Sequence, residues 1–155
     1  MPVLVFIHGG EYKIGSGNDD SQGPDILINN KGIVLVTMNY RMDGLGFLCL
    51  DNADVPGNAG LKDQVFALRW VQKNIRYFGG DPDLVTIQGH SAGAAAVSMH
   101  VISPMSKGLF RRAQIFSGNA LSDWPISYYA RYRAFCLTQD LGLVTRNGTE
   151  AVEYL

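Results

Sequence analysis

The chain has 155 residues, 46% of them hydrophobic and 17% charged, with a formal net charge of −1. That is enough apolar material to bury a core, and it excludes a disordered or collagen-like chain. The 13 basic residues are scattered, with only Arg111 and Arg112 adjacent, which leaves no footprint for nucleic acid, and no apolar run reaches the roughly 18 residues that span a bilayer.

The opening segment, Met1-Pro2 followed by the apolar run 3–7, lacks the basic start and small-residue cleavage site of a signal peptide and reads as a strand. His8-Gly9-Gly10 follows it directly. A second continuous apolar run, 33–38, reads as another strand covered on both faces of a mostly parallel sheet. Pro56-Gly57-Asn58 opens a helix in which Leu61, Val65, Leu68, Val71, Ile75 and Phe78 recur at steps of three and four, and Gly79-Gly80 closes it. That apolar face is expected to pack on the sheet. After the turn cluster Gly79-Gly80-Asp81-Pro82-Asp83 come a strand over 84–88, a tight turn at Gly89-His90-Ser91-Ala92-Gly93, and a small-residue helix running through Val97 and Val101 to Pro104. A fourth strand is expected over 112–116, a helix from Tyr128 to Leu141 ended by Gly142, and the first turns of another from Thr149.

Strands and helices alternate without repeat, linker or low-complexity tract, so the chain reads as part of one α/β architecture. Both ends look abrupt, as in a piece of a larger domain. Cys49 and Cys136 are too few and too far apart in sequence for a disulfide framework or a metal site, and read as two buried thiols. Asn147-Gly148-Thr149 matches a glycosylation acceptor, which matters only if the protein is secreted. Secreted and cytoplasmic locations are both compatible with the sequence.

Ser91 carries the chemistry. A serine hydroxyl is a useful nucleophile when it is exposed, aimed at a carbonyl and backed by a base, and a sharp strand-to-helix turn meets the first two conditions. The turn brings positions 89 and 93 close together, so side chains there would collide and glycine is expected at both. Attack on a carbonyl also builds negative charge on its oxygen, and each well-placed donor contributes about 3 kcal/mol in the transition state. In the α/β-hydrolase arrangement those donors are the amide after the nucleophile, here Ala92, and amides of a glycine-rich loop after an earlier strand, here Gly10 and Glu11. Both motifs fall at the carboxyl ends of parallel strands, where open α/β folds place their sites.

With these motifs together, the chain resembles the type-B carboxylesterases, the family of carboxylesterases and cholinesterases. The resemblance rests on the segment from Val3 to Gly10, on Asn39-Tyr40-Arg41, on Gly46-Phe47-Leu48, on the run from Pro56 to Gln64, and on Phe78 to Gly93. It implies an α/β-hydrolase fold, present in part. It also implies a serine acyl-enzyme mechanism on a small-molecule carboxylic ester, with Ser91 as nucleophile, Gly10, Glu11 and Ala92 as oxyanion donors, and no metal or organic cofactor. Glu11 departs from the glycine that many relatives carry, and it reads either as a solvated loop residue or as a carboxylate that repels acidic substrates or the oxyanion itself. His90 stands where cholinesterases typically have glutamate, which tilts the expectation toward a general carboxylesterase. Ser117 resembles a serine supporting the catalytic base, and Trp124 a residue lining the acyl side of the pocket.

The resemblance also implies a catalytic acid and histidine after the nucleophile. Only His100 follows Ser91, and nine residues down the same helix, about 13 Å away by helical rise, it cannot reach back to the hydroxyl. His100 is expected to be a packed or surface residue, His8 to orient the glycine-rich loop, and His90 to point away from the elbow. Residues 1–155 are therefore expected to form the central part of one hydrolase domain, without its first strands and C-terminal portion, and to have little activity alone. The alternatives are a non-catalytic cholinesterase-like binding or adhesion module, and a truncated chain that folds poorly because its sheet edges are unpaired.

Overall fold

The computed structural model describes residues 1–18, 29 and 32–155. Among these, four strands form one parallel sheet: β1 (Val3–Ile7), β2 (Val34–Thr37), β3 (Val85–His90) and β4 (Arg112–Phe116), in the order β2-β1-β3-β4. The register places Val5 beside Val36 and Ile87, and Gly89 beside Ile7 and Ile115. Alternation along a strand puts Val3, Val5 and Ile7 on one face with Val85 and Ile87, all buried.

That face is covered by α2 (Ala59–Asn74) and α3 (Ala92–Ile102), which contribute Leu68, Val71, Ala96 and Val97 to the same core. Helix α2 follows the expected periodicity closely, with Val65, Leu68 and Val71 buried. Its last turn tightens to a 3₁₀ helix at Ile75–Phe78, and Gly79 caps it in the left-handed region at φ 78°. The tightening rotates Phe78 out of the stripe: it is exposed and tilts against Trp70 instead of packing on the sheet.

Three further corrections come from the structure. The strand expected at 84–88 begins at Val85 and continues to His90, because Leu84 belongs to a 3₁₀ turn capped by Asp81. A short helix, α1 (Asp43–Phe47), was not anticipated from Asp43-Gly44-Leu45-Gly46-Phe47. Its Gly46 fits against the Arg41 carbonyl, which also receives Gly60 of α2. Coverage on both faces holds for neither outer strand, since β2 is half-buried and all five residues of β4 are exposed.

Helices α4 (Ala130–Asp140) and α5 (Gly148–Tyr154) form a second small core in which Ala134 and Ala151 pack on Leu50. Cys49 and Cys136 are free thiols, as expected, but both are half-buried and not fully enclosed. No helix among the described residues is long and apolar enough to cross a membrane.

Candidate active site

The turn between β3 and α3 holds Ser91 at φ 56°, ψ −120°. A non-glycine residue in that region is strained, by roughly 1–3 kcal/mol, and stays there only when its surroundings hold it. Three contacts do so. The Ser91 N–H donates to the Phe116 carbonyl at the end of β4 (2.9 Å), the Ser91 carbonyl accepts the first helical bond from Ala95 (3.0 Å), and Gly118 packs directly on that carbonyl.

The glycines around the serine each have a separate reason. A Cβ at Gly89 would run into the carbonyl of Gly93. The two glycines thus adjoin as expected from the sequence, and a Cβ at Gly93 would in addition strike the carbonyl of Ile7 at the end of β1. Gly93 is therefore required by the close approach of α3 to the neighbouring strand.

The glycine-rich loop after β1 lies against this elbow. A Cβ at Gly9 would come within 2.5 Å of the His90 carbonyl and 3.1 Å of Ser91 Cβ, so no side chain fits there. Gly10, Glu11 and Tyr12 follow with φ of 113°, 58° and 60°. These successive positive angles fold the chain back so that the amides of Lys13 and Ile14 both donate to the Gly10 carbonyl, at 2.9 and 3.0 Å. Among the described residues the amides of Gly10, Glu11 and Ala92 donate to no protein acceptor. The Ala92 amide also lies at the positive end of the α3 dipole. Glu11 is exposed and occupies a conformation that favours glycine, which explains its departure as a strained substitution.

His8 anchors the loop from below. It is 3% exposed, its Nδ1 bonds the Gly9 carbonyl at 2.8 Å, and its ring stacks on Tyr40 with centroids 4.5 Å apart. Gly9 is an acceptor, so Nδ1 carries the proton. The Tyr40 hydroxyl donates back to the His8 carbonyl at 2.8 Å, and burial pushes the Tyr40 phenol up to about 12. Neither the stacking nor the role of Tyr40 was read from the sequence. Arg41, next along, holds the chain onto α2 through a two-pronged pair with Asp63, with Nε–Oδ2 and Nη2–Oδ1 both 2.8 Å. That guanidinium keeps the Asp63 carboxyl below its ordinary range.

The remaining sequence-picked residues divide. Trp124 stands beside the elbow: a Cβ on Gly118 would lie 3.4 Å from its Cζ2, and its ring is 6.4 Å from that of Tyr12. Ser117, at φ 61°, precedes Gly118 and is exposed. His90 closes β3 opposite Phe116 and is exposed. His100 lies in the last turn of α3, at the other end of the helix from Ser91, buried between Gln64 Oε1 and Ser106 Oγ at 2.8 Å each. A cavity of about 650 Å³ opens beside the loop, lined by Glu11, Tyr12, Phe47, Met99 and Leu121 among others, and Ser91 is not part of its wall.

A sequence model described as the carboxylesterase family matches residues 1–155. The chain belongs to the carboxylesterase family. It is 49% identical over its whole length to Esterase FE4 of Myzus persicae, covering 27% of that protein. It is 46% identical over 92% of its length to juvenile hormone esterase of Heliothis virescens, covering 25% of that protein. Among solved structures, juvenile hormone esterase from Manduca sexta with OTFP covalently attached aligns with a TM-score of 0.91 and 44% identity, over 97% of this chain and 29% of that one. The α/β-hydrolase fold expected from the motifs is the fold found. The chain thus spans little more than a quarter of the length of these relatives.

Proposed function

We propose that the protein carrying these residues is a carboxylic ester hydrolase that works through a serine acyl-enzyme, with residues 1–155 as the central part of its single catalytic domain. The observation that carries the reading is the contact between the Gly9 backbone and Ser91, 3.1 Å from a Cβ built at position 9 to Ser91 Cβ. That contact sets a strained serine against a loop whose Gly10 and Glu11 amides donate to no acceptor among the described residues.

In this reading Ser91 Oγ attacks the ester carbonyl, and the amides of Gly10, Glu11 and Ala92 hold the oxygen as it gains charge. The alcohol leaves, and water then hydrolyses the acyl-enzyme. Trp124 borders the acyl group, His90 flanks the entrance, and Ser117 supports the base from its turn beside the elbow. The Glu11 carboxylate disfavours negatively charged esters. A relative with a covalently attached ligand supports the covalent step.

The base and its acid are assigned to residues outside 1–155. His8 is committed to Gly9, His100 to Gln64 and Ser106, and His90 adjoins the nucleophile too closely in the chain to turn onto it. If the protein is secreted, exposed Asn147 is a glycan acceptor.

The test is hydrolysis of a neutral p-nitrophenyl ester by the full-length protein and its Ser91→Ala variant. Loss of more than about 1,000-fold in kcat is expected, since removing a triad nucleophile leaves only binding and oxyanion contributions. A variant that keeps its rate would overturn the assignment.

A further inference from the structure

We propose that Tyr12 is a positioning residue that locks the glycine-rich loop against the serine elbow, acting through Trp124. The inference rests on the ester-hydrolase reading and adds to it a residue that touches neither nucleophile nor donor amide.

Tyr12 adopts φ 60° directly after Glu11 at φ 58°. A bulky aromatic in the left-handed region is unfavourable locally, so contacts elsewhere in the fold must hold it. Three do. The Tyr12 carbonyl accepts from the Asp43 amide at 2.7 Å, and its ring tilts against Phe47 at 5.0 Å and Trp124 at 6.4 Å. Trp124 lies 3.4 Å from the position of a Cβ on Gly118, and Gly118 packs on the Ser91 carbonyl. A continuous set of contacts therefore runs from Tyr12 through Trp124 and Gly118 to Ser91. It joins two segments that the sheet alone fixes only at their strand ends.

Without the ring, the strained pair at 11 and 12 is free to relax toward ordinary angles, and relaxation swings the Gly10 and Glu11 amides. Such donors matter most in the transition state, so their misplacement lowers turnover more than substrate binding. The Tyr12 hydroxyl is buried and has no hydrogen-bond partner among the described residues. The ring, not the hydroxyl, carries the role.

The experiment uses the full-length enzyme with a neutral p-nitrophenyl ester, comparing Tyr12→Ala, Tyr12→Leu, Tyr12→Phe, Trp124→Ala and the Tyr12→Ala/Trp124→Ala double variant, with circular dichroism at the assay temperature. Expected is a loss of about 10- to 100-fold in kcat for Tyr12→Ala with KM within about twofold. Tyr12→Phe should match the parent, and the double variant should lose less than the product of the two single losses. If Tyr12→Ala is unfolded, Tyr12→Leu decides by the same criteria. A kcat within about twofold of the parent for the folded variant, a parallel rise in KM, or Tyr12→Phe falling as far as Tyr12→Ala overturns the proposal. Ser91→Ala separates the two ideas: retained hydrolysis there overturns the nucleophile, whereas lost hydrolysis with an intact Tyr12→Ala rate overturns only the positioning role.

Discussion

Glu11 shows how a single backbone angle links sequence, strain and site. Its amide is a proposed oxyanion donor, and its φ of 58° is one that an L side chain resists. Glu11→Gly should therefore stabilise the folded chain by about 1 kcal/mol, the relief of left-handed strain outweighing the added freedom of the unfolded state. Urea unfolding checks this, and a lowered midpoint would show that the carboxylate makes a compensating contact. The sequence revealed the need for glycine at 89 and 93, and that residue 93 adjoins Gly89, but not that β1 presses on Gly93. Gly93 answers to β1, a neighbour brought in by pairing across some 80 positions of chain, and no local pattern encodes that. The positive angles at Tyr12 and Ser117 were hidden for a related reason, since neither residue type signals the left-handed region.

At the scale of elements, α3 connects Ser91, the proposed nucleophile, at its start with a buried polar cluster at its end. His100 joins α3 to α2 through Gln64 and to the following turn through Ser106, and desolvation lowers its pKa to about 4. The imidazole is thus neutral in the folded state at pH values where the unfolded chain, near 6.5, already binds a proton. Stability is fully present above pH 6.5 and falls as pH drops toward 4, by roughly 3 kcal/mol in total. Thermal melts from pH 7.5 to 4 should show this fall, and His100→Gln should flatten the part of the slope within that window. An unchanged slope would mean that carboxylates elsewhere dominate it. The helices most legible in the sequence were α2 and α3, where apolar spacing or small residues matched the packing face. Helix α1 was illegible because two glycines in five residues disfavour a helix in isolation, and the close fit of Gly46 on the Arg41 carbonyl is a tertiary contact that no local pattern encodes.

For the molecule as a whole, the parallel sheet brings two motifs about 80 residues apart to adjacent strand ends, and this convergence was legible because each motif closes an apolar run. Coverage was less legible: β1 and β3 are enclosed as their composition suggests, whereas β4, with Ile115 and Phe116 about half exposed, is not. An apolar strand looks the same in sequence whatever lies beside it. The chain covers 25–29% of the length of these relatives. The most direct measurement is peptide mapping by mass spectrometry after the full-length protein reacts with an organophosphonate. One adduct is expected, on Ser91, formed in step with loss of ester hydrolysis. Inactivation with the adduct on another residue, or an active enzyme that leaves Ser91 unmodified, would contradict the assignment.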